Sequence, residues 1–267
     1  MPQRRKFIKA TALGGLSTIG LTNSVGAQNR TDDLGDEIRE ALFEDGTEAA
    51  RDLFEDNSLE YDISTTSLGD KGEDEDDFST NVTPDTAYSS DDTEVSCIVG
   101  GSNDDDHAWF TTYAELRGGK TTSDIMDHVD DIIMIGYDSD HWVMVEEPTY
   151  STQYDYDFGT EEPLDASLYT GSFDGDGVAV RVETQRVTDP DNVQGVKLVD
   201  GEVILQSKFY NKSGLTNPVL SGYEHVGSFT DGGSILGIDI DLEVFGFELE
   251  LGDGAEEIWN LADSGAP

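Results

Sequence analysis

Lysine is scarce in this chain. The 267 residues contain seven, and Lys and Arg together number 15 against 58 Asp and Glu, a formal net charge of −43. A nucleic-acid binder needs a basic stripe to displace counterions from phosphates, and no such stripe exists beyond the first nine residues. Anionic lipid headgroups would repel so acidic a surface. Cysteine occurs once, as Cys97 in VSCIVGG, so no internal disulfide can form and the fold does without the usual staple of small secreted domains. Nothing cationic adjoins Cys97 in sequence to stabilise a thiolate, so it reads as a small buried hydrophobe. After residue 27 no apolar run approaches the roughly 20 residues that span a bilayer. The familiar catalytic signatures are missing too: there is no HExxH, no paired CxxC, no GxSxG, no P-loop and no GxGxxG.

What is present is acid interleaved with apolar residues. Disorder is one consequence of high net charge, but 11 Phe, 10 Tyr and 3 Trp are spread through alternating apolar patterns that can build a core. An acidic tail would be a block at one end, whereas here the acids run from position 32 to 263. A salt-adapted surface fits the distribution: in multimolar salt the Debye length falls to about 3 Å or less, which screens the self-repulsion. In composition the chain resembles the secreted proteins of halophilic archaea, which are acidic and poor in lysine.

The N-terminus carries an address. Arg4, Arg5, Lys6 and Lys9 precede an uncharged stretch from Ala10 to Ala27, with small residues at Val25-Gly26-Ala27 for cleavage. The run RRKFIK resembles the twin-arginine export motif RRxFLK, and this resemblance implies a signal peptide over 1–27 and an extracellular destination. Its removal leaves 11 Lys and Arg against 58 Asp and Glu. Cys97 is too far from the cleavage site to carry a lipid, and the tail EIWNLADSGAP is too short and polar for a sorting helix. The expectation is a product released, or held at the surface by other proteins, with no membrane insertion once the signal is gone.

Residues 28–58 place Leu34, Ile38, Ala41, Leu42, Ala50, Leu53 and Phe54 at helical spacing, with Gly46 and Thr47 marking a stop and a fresh start. A short helix pair is expected, too poor in apolar residues to fold alone. LEYDISTTSL reads as a strand, and Gly69 to Asp92 as an exposed acidic loop or linker, so 59–92 forms a boundary before a β-rich domain over 93–267. There TEVSCIVGG, HAWFTTYAEL, DIIMIGYD, HWVMVEE, VAVRVETQRV, VKLVDGEVILQSKFY and ILGIDIDLEVFGFELEL alternate between Gly, Asp, Asn and Ser turns. Asp200-Gly201 predicts a hairpin, and AEEIWNLA behind Asp253 predicts a short C-terminal helix. With no crossover helices between the strands, the expected fold is mainly β: an antiparallel sandwich or open barrel of about eight to ten strands.

Candidate chemistry is limited to oxygen and histidine clusters. Hard cations such as calcium take grouped carboxylates, and DDD (104–106), DSD (138–140), YDYD (154–157) and DGDG (174–177) offer them without completing an EF-hand loop. In so acidic a chain such runs also arise simply as turns, and no cofactor is assigned. DDDHAW (104–109) and DSDHW (138–142) look like a repeat, which makes His107, His141, Asp138, Asp140, Asp174 and Asp176 the metal candidates. However, none of His107, His128, His141 and His225 stands two or four residues from another, and the two repeats differ in His–Trp spacing. On alternating strands His107 and Trp109 share a face while His141 and Trp142 do not. Three sequons put Asn29, Asn81 and Asn211 forward as glycosylation acceptors.

Three functions follow. The first is a secreted, salt-adapted, non-catalytic domain that binds a protein or glycan, or joins an assembly, at the cell surface. The second is an extracellular hydrolase working through paired carboxylates, with calcium in support. The third is a halocin-like antimicrobial or immunity protein, for which no motif speaks.

Overall fold

The computed structural model describes residues 28–68, 93–101, 106–117, 121–122, 130–154, 164–174, 176–187, 196–198, 200–214, 217–228, 234–242, 246–251 and 255–266. The segment 1–27 with Arg4 and Arg5, the acidic stretch 69–92 with Asn81, and Asp104 and Asp105 lie outside the described residues.

In chain order the elements are α1 (Gln28–Asp56), β1 (Glu60–Ser67), β2 (Glu94–Gly101), β3 (His107–Leu116), β4 (Thr121–Thr122) and β5 (Asp131–Gly136). There follow β6 (Trp142–Met144), β7 (Thr149–Tyr154), β8 (Ala166–Leu168), β9 (Ser172–Asp174), β10 (Gly177–Val182) and β11 (Gln185–Val187). The last six are β12 (Val196–Leu198), β13 (Gly201–Asn211), β14 (Val219–Ser228), β15 (Ile235–Asp241), β16 (Gly246–Leu251) and β17 (Ala255–Gly265).

The fold is mainly β, built from largely antiparallel sheets, and three apolar cores separate four layers. The first sheet runs β1-β2-β3-β13-β6, with β7 also paired to β13, and the second runs β17-β14-β5-β10-β8. Alternation along their strands makes the core between them: Val95, Cys97, Val99, Phe110, Val203, Leu205 and Phe209 from one sheet meet Ile133, Ile135, Val178, Val180 and Tyr223 from the other. Strand β5 is buried at all six residues because its remaining side chains serve a second core. Ile132 and Met134, with Ala179, Leu220 and Val226, meet Ile235, Ile238, Ile240, Phe247 and Leu249 of the small sheet β16-β15-β9. The strict alternation of β15 and β16 is realised: Ile238, Ile240, Phe247 and Leu249 are buried while Asp239, Asp241, Glu248 and Glu250 are exposed. The pairing of β15 with β9 is parallel.

The fourth layer is the helical segment. Leu34, Ile38, Leu42, Ala50 and Phe54 pack on Ile98, Trp109, Tyr113 and Ile204, on the outer face of the first sheet. The helix is broken at Asp45 and Gly46, where φ of Gly46 is 71°; a positive φ of this kind suits glycine. At Gly35 a Cβ would lie 2.7 Å from the Trp109 ring, so only glycine allows this approach. Strand β1, before residues 69–92, pairs with β2 along all eight of its residues and so joins the same sheet.

Two local expectations fail. The segment AEEIWNLA is not helical: it forms part of β17, which pairs with β14 from Ala255 to Gly265 with a bulge at His225/Val226. An isolated eight-residue helix is marginal in water, whereas strand pairing here also covers an otherwise open edge of β14. Asp200-Gly201 is not a hairpin either, since β12 pairs with β11 and β4 while β13 pairs with β3, β6 and β7. β13 is buried from Gly201 to Phe209, feeding Val203 and Leu205 to one core and Ile204 to another, so it needs neighbours on both edges and has none left for β12. The described residues hold 17 strands rather than eight to ten, because long alternating runs are cut into short pieces. HWVMVEE, for example, keeps only Trp142–Met144 as strand.

Candidate functional site

The two look-alike segments meet on either side of one strand. Tyr210 of β13 pairs with His107 on β3 and with Val143 on β6, and the next residue, Asn211, pairs with Trp142. Backbone bonds fix this corner: Asn211 N donates to Asp106 O at 2.7 Å and Lys212 N to His141 O at 2.8 Å. Asn211 Oδ1 caps the following turn, accepting from Ser213 N at 3.1 Å and Gly214 N at 2.8 Å. The sequon at Asn211 therefore sits in a tight Asx turn at a sheet end.

The tryptophans enter different cores. Trp109 lies under the helix, with Lys208 Nζ 5.6 Å from its ring centroid. Trp142 enters the core between the two large sheets, edge-on to Phe110 at 4.8 Å. Both are core aromatics, which leaves the histidines outside. The His107 ring stands 5.3 Å from that of its cross-strand partner Tyr210. His141 sits in the turn, with Nε2 3.6 Å from Asp138 Oδ2.

The DSD run forms a turn, while residues 155–157 of YDYD lie outside the described residues. Asp138 Oδ1 accepts from Asp140 N at 2.8 Å, and its carbonyl accepts from His141 N and Trp142 N. Asp176 comes alongside, with its Oδ2 accepting from Ser139 N at 3.3 Å and its carbonyl from Tyr137 N at 2.9 Å. Burial and the Asp176 charge push the Tyr137 phenol above its ordinary range. Asp174 lies on β9 and Asn29 on α1. His107 on β3 and His141 in the turn before β6 lie on opposite sides of β13. Among the described residues no group of three or more His, Cys, Asp or Glu side chains is arranged to hold a metal.

The corner does present an apolar platform. Val143, Val145 and Tyr210 are 40%, 44% and 36% exposed. Val143 is opposite Tyr210, and Val145 N bonds Lys208 O at 2.9 Å, which places both valines beside β13 on the same face as Tyr210. His107 extends the platform, and Lys208, 3.3 Å from Glu146, marks its rim.

Sequence reasoning missed a second constellation. Asp131 and His225 are fully buried, with Asp131 Oδ1 2.9 Å from His225 Nδ1. Tyr223 and Thr184 hydroxyls each donate to Asp131 Oδ2 at 2.6 Å, and Val226 N donates to Oδ1 at 3.2 Å. A carboxylate orienting an imidazole is the support half of a nucleophilic triad. Here both residues are sealed from solvent, so the pair ties the head of β5 to β14 at its bulge. The available signals were an Asp heading the otherwise apolar DIIMIG and a His inside GYEHVGS.

No protein-family model matches the chain, and no curated protein matches it in sequence. The geometry therefore carries the functional argument alone.

Proposed function

We propose that this protein is an exported, salt-adapted, non-catalytic β-domain that binds a protein or glycan at the cell surface through the platform of His107, Tyr210, Val143 and Val145. The observation that carries the reading is the contiguous exposure of Val143, Val145 and Tyr210 in an otherwise strongly acidic chain. Apolar groups next to one another on an exposed sheet edge are a usual mark of an interaction site. Export rests on RRKFIK and the uncharged stretch behind it. Replacing Arg4 and Arg5 by lysine should keep the product inside the cell.

The hydrolase reading has one supporting feature. Glu115 and Glu202 face each other across β3 and β13, as a carboxylate pair would. Against it, Glu202 is buried and both carboxylates bind the Arg117 guanidinium. Incubating the purified chain with polysaccharide and peptide panels in high salt separates the two readings. Turnover that Glu115→Gln abolishes would replace binding by catalysis, whereas retention on washed cell envelopes without turnover supports the platform.

A further inference from the structure

At the opposite end of the first sheet, the register aligns carboxylates in a row. Glu94 of β2 is directly opposite Glu115 of β3, Glu115 is opposite Glu202 of β13, and Glu202 is opposite Gln153 of β7. Directly opposed residues on antiparallel strands share a face, with Cβ atoms about 4.5–5.5 Å apart, and like charges so placed repel. One guanidinium enters the row: Arg117 Nη2 lies 2.7 Å from Glu115 Oε1 and 2.5 Å from Glu202 Oε1. It leaves two acceptors unanswered. Glu202 Oε2 and Gln153 Oε1 are both withdrawn from solvent without a hydrogen-bond partner, in residues only 5% and 2% exposed. Leaving a buried acceptor unpaired costs about 1–3 kcal/mol, and more when it is charged. The Tyr113 hydroxyl stands near this row under the break in α1, 3.9 Å from the Cβ position of Gly46.

We propose that a hard divalent cation binds here, held by Glu202 Oε2, Gln153 Oε1 and the Glu115 carboxylate, with water completing its shell. Among the described residues the Glu115 and Glu202 carboxylates share one guanidinium, and a divalent ion balances the negative charge left beside the two buried unpaired oxygens. Oxygens set by strand spacing suit the wide, irregular shell of calcium better than the small octahedron of magnesium. The ion would lock β7 to β13 beneath the helical layer, far from the platform at the other end of β13, so the site stands or falls independently of the binding function.

The test is thermal unfolding and calorimetric titration of the full chain at constant high ionic strength, with calcium chloride or with chelator. Wild type should bind one calcium ion, with the midpoint rising by roughly 5 to 10 °C at saturating calcium. Glu202→Gln keeps the shape of the side chain and supplies its own donor toward Gln153. It should lose the calcium response, as should Gln153→Leu, while Asp138→Asn in the exposed turn should retain it. The proposal is overturned if calcium leaves the wild-type midpoint unmoved, or moves wild type and Glu202→Gln equally. It is also overturned if magnesium produces the same shift at the same concentration.

Discussion

Asp131 and His225 form a carboxylate–imidazole contact of 2.9 Å with neither residue open to solvent. Around them Tyr223, Thr184 and the Val226 amide direct their donors to the same carboxylate, so a single side chain holds β5, β14 and the segment after β10 together. Removing the carboxylate leaves several buried donors without an acceptor at once, at about 1–3 kcal/mol each and roughly 3–5 kcal/mol together. Asp131→Ala should lower unfolding stability by about that amount. Glu147→Ala, on the exposed loop between β6 and β7, should change it by no more than about 0.5 kcal/mol. Chemical denaturation of both variants measures the difference, and equal stabilities would contradict the structural role given to Asp131.

Cys97 offers a pH test. Its thiol is buried, with Sγ 3.7 Å from Val219 O, and burial pushes its pKa from the ordinary 9.0 up to about 12. A raised folded pKa means that the neutral thiol's contribution is complete below pH 9 and is lost as pH rises toward about 12. Across that window the wild type should lose about 1.4 kcal/mol per pH unit more than Cys97→Ala. Iodoacetamide at pH 8 should leave the native chain unlabelled and label it once unfolded. Parallel pH profiles for the two proteins would refute the assignment.

The salt dependence has a structural starting point. On the β15–β16 hairpin Asp239 is directly opposite Glu248, and both are exposed. Opposed like charges destabilise a strand pair, and lowering salt to roughly 0.1 M lengthens the Debye length to about 10 Å. Dialysis should therefore raise amide exchange in β15 and β16 before the buried strand β5. Asp239→Lys, which makes an attractive pair, should delay that loss. Circular dichroism and exchange unchanged between multimolar and low salt would remove the salt-adapted reading.

How much of this was legible beforehand follows from which residues carry periodicity. Ile238, Ile240, Phe247 and Leu249 alternate with acids, and two-residue alternation dictates a half-buried strand whatever its partner. The faces of His107, Trp109 and Trp142 could be read in the same way. Pairing partners could not, because they depend on what each edge needs: β13 is buried on both faces and takes the centre of a sheet, which overrides the turn signal at Asp200-Gly201. The last strand was hidden because AEEIWNLA carries respectable helix propensity, which β14 overrides by offering a complete backbone ladder. The platform had no linear signature. Tyr210 stands 67 positions from Val143 and 103 from His107, and only register brings them together.

The platform carries the central claim, and a binding isotherm tests it most directly. Purified wild type and the double variant Val143→Asp, Tyr210→Ala would be titrated onto washed cell envelopes at one fixed high salt concentration. Matched circular dichroism would show that both are folded, as expected for two exposed positions. The platform predicts saturable wild-type binding and at least a tenfold weaker affinity in the variant, about 1.4 kcal/mol or more. Identical isotherms, or no saturable binding by the wild type, would contradict it.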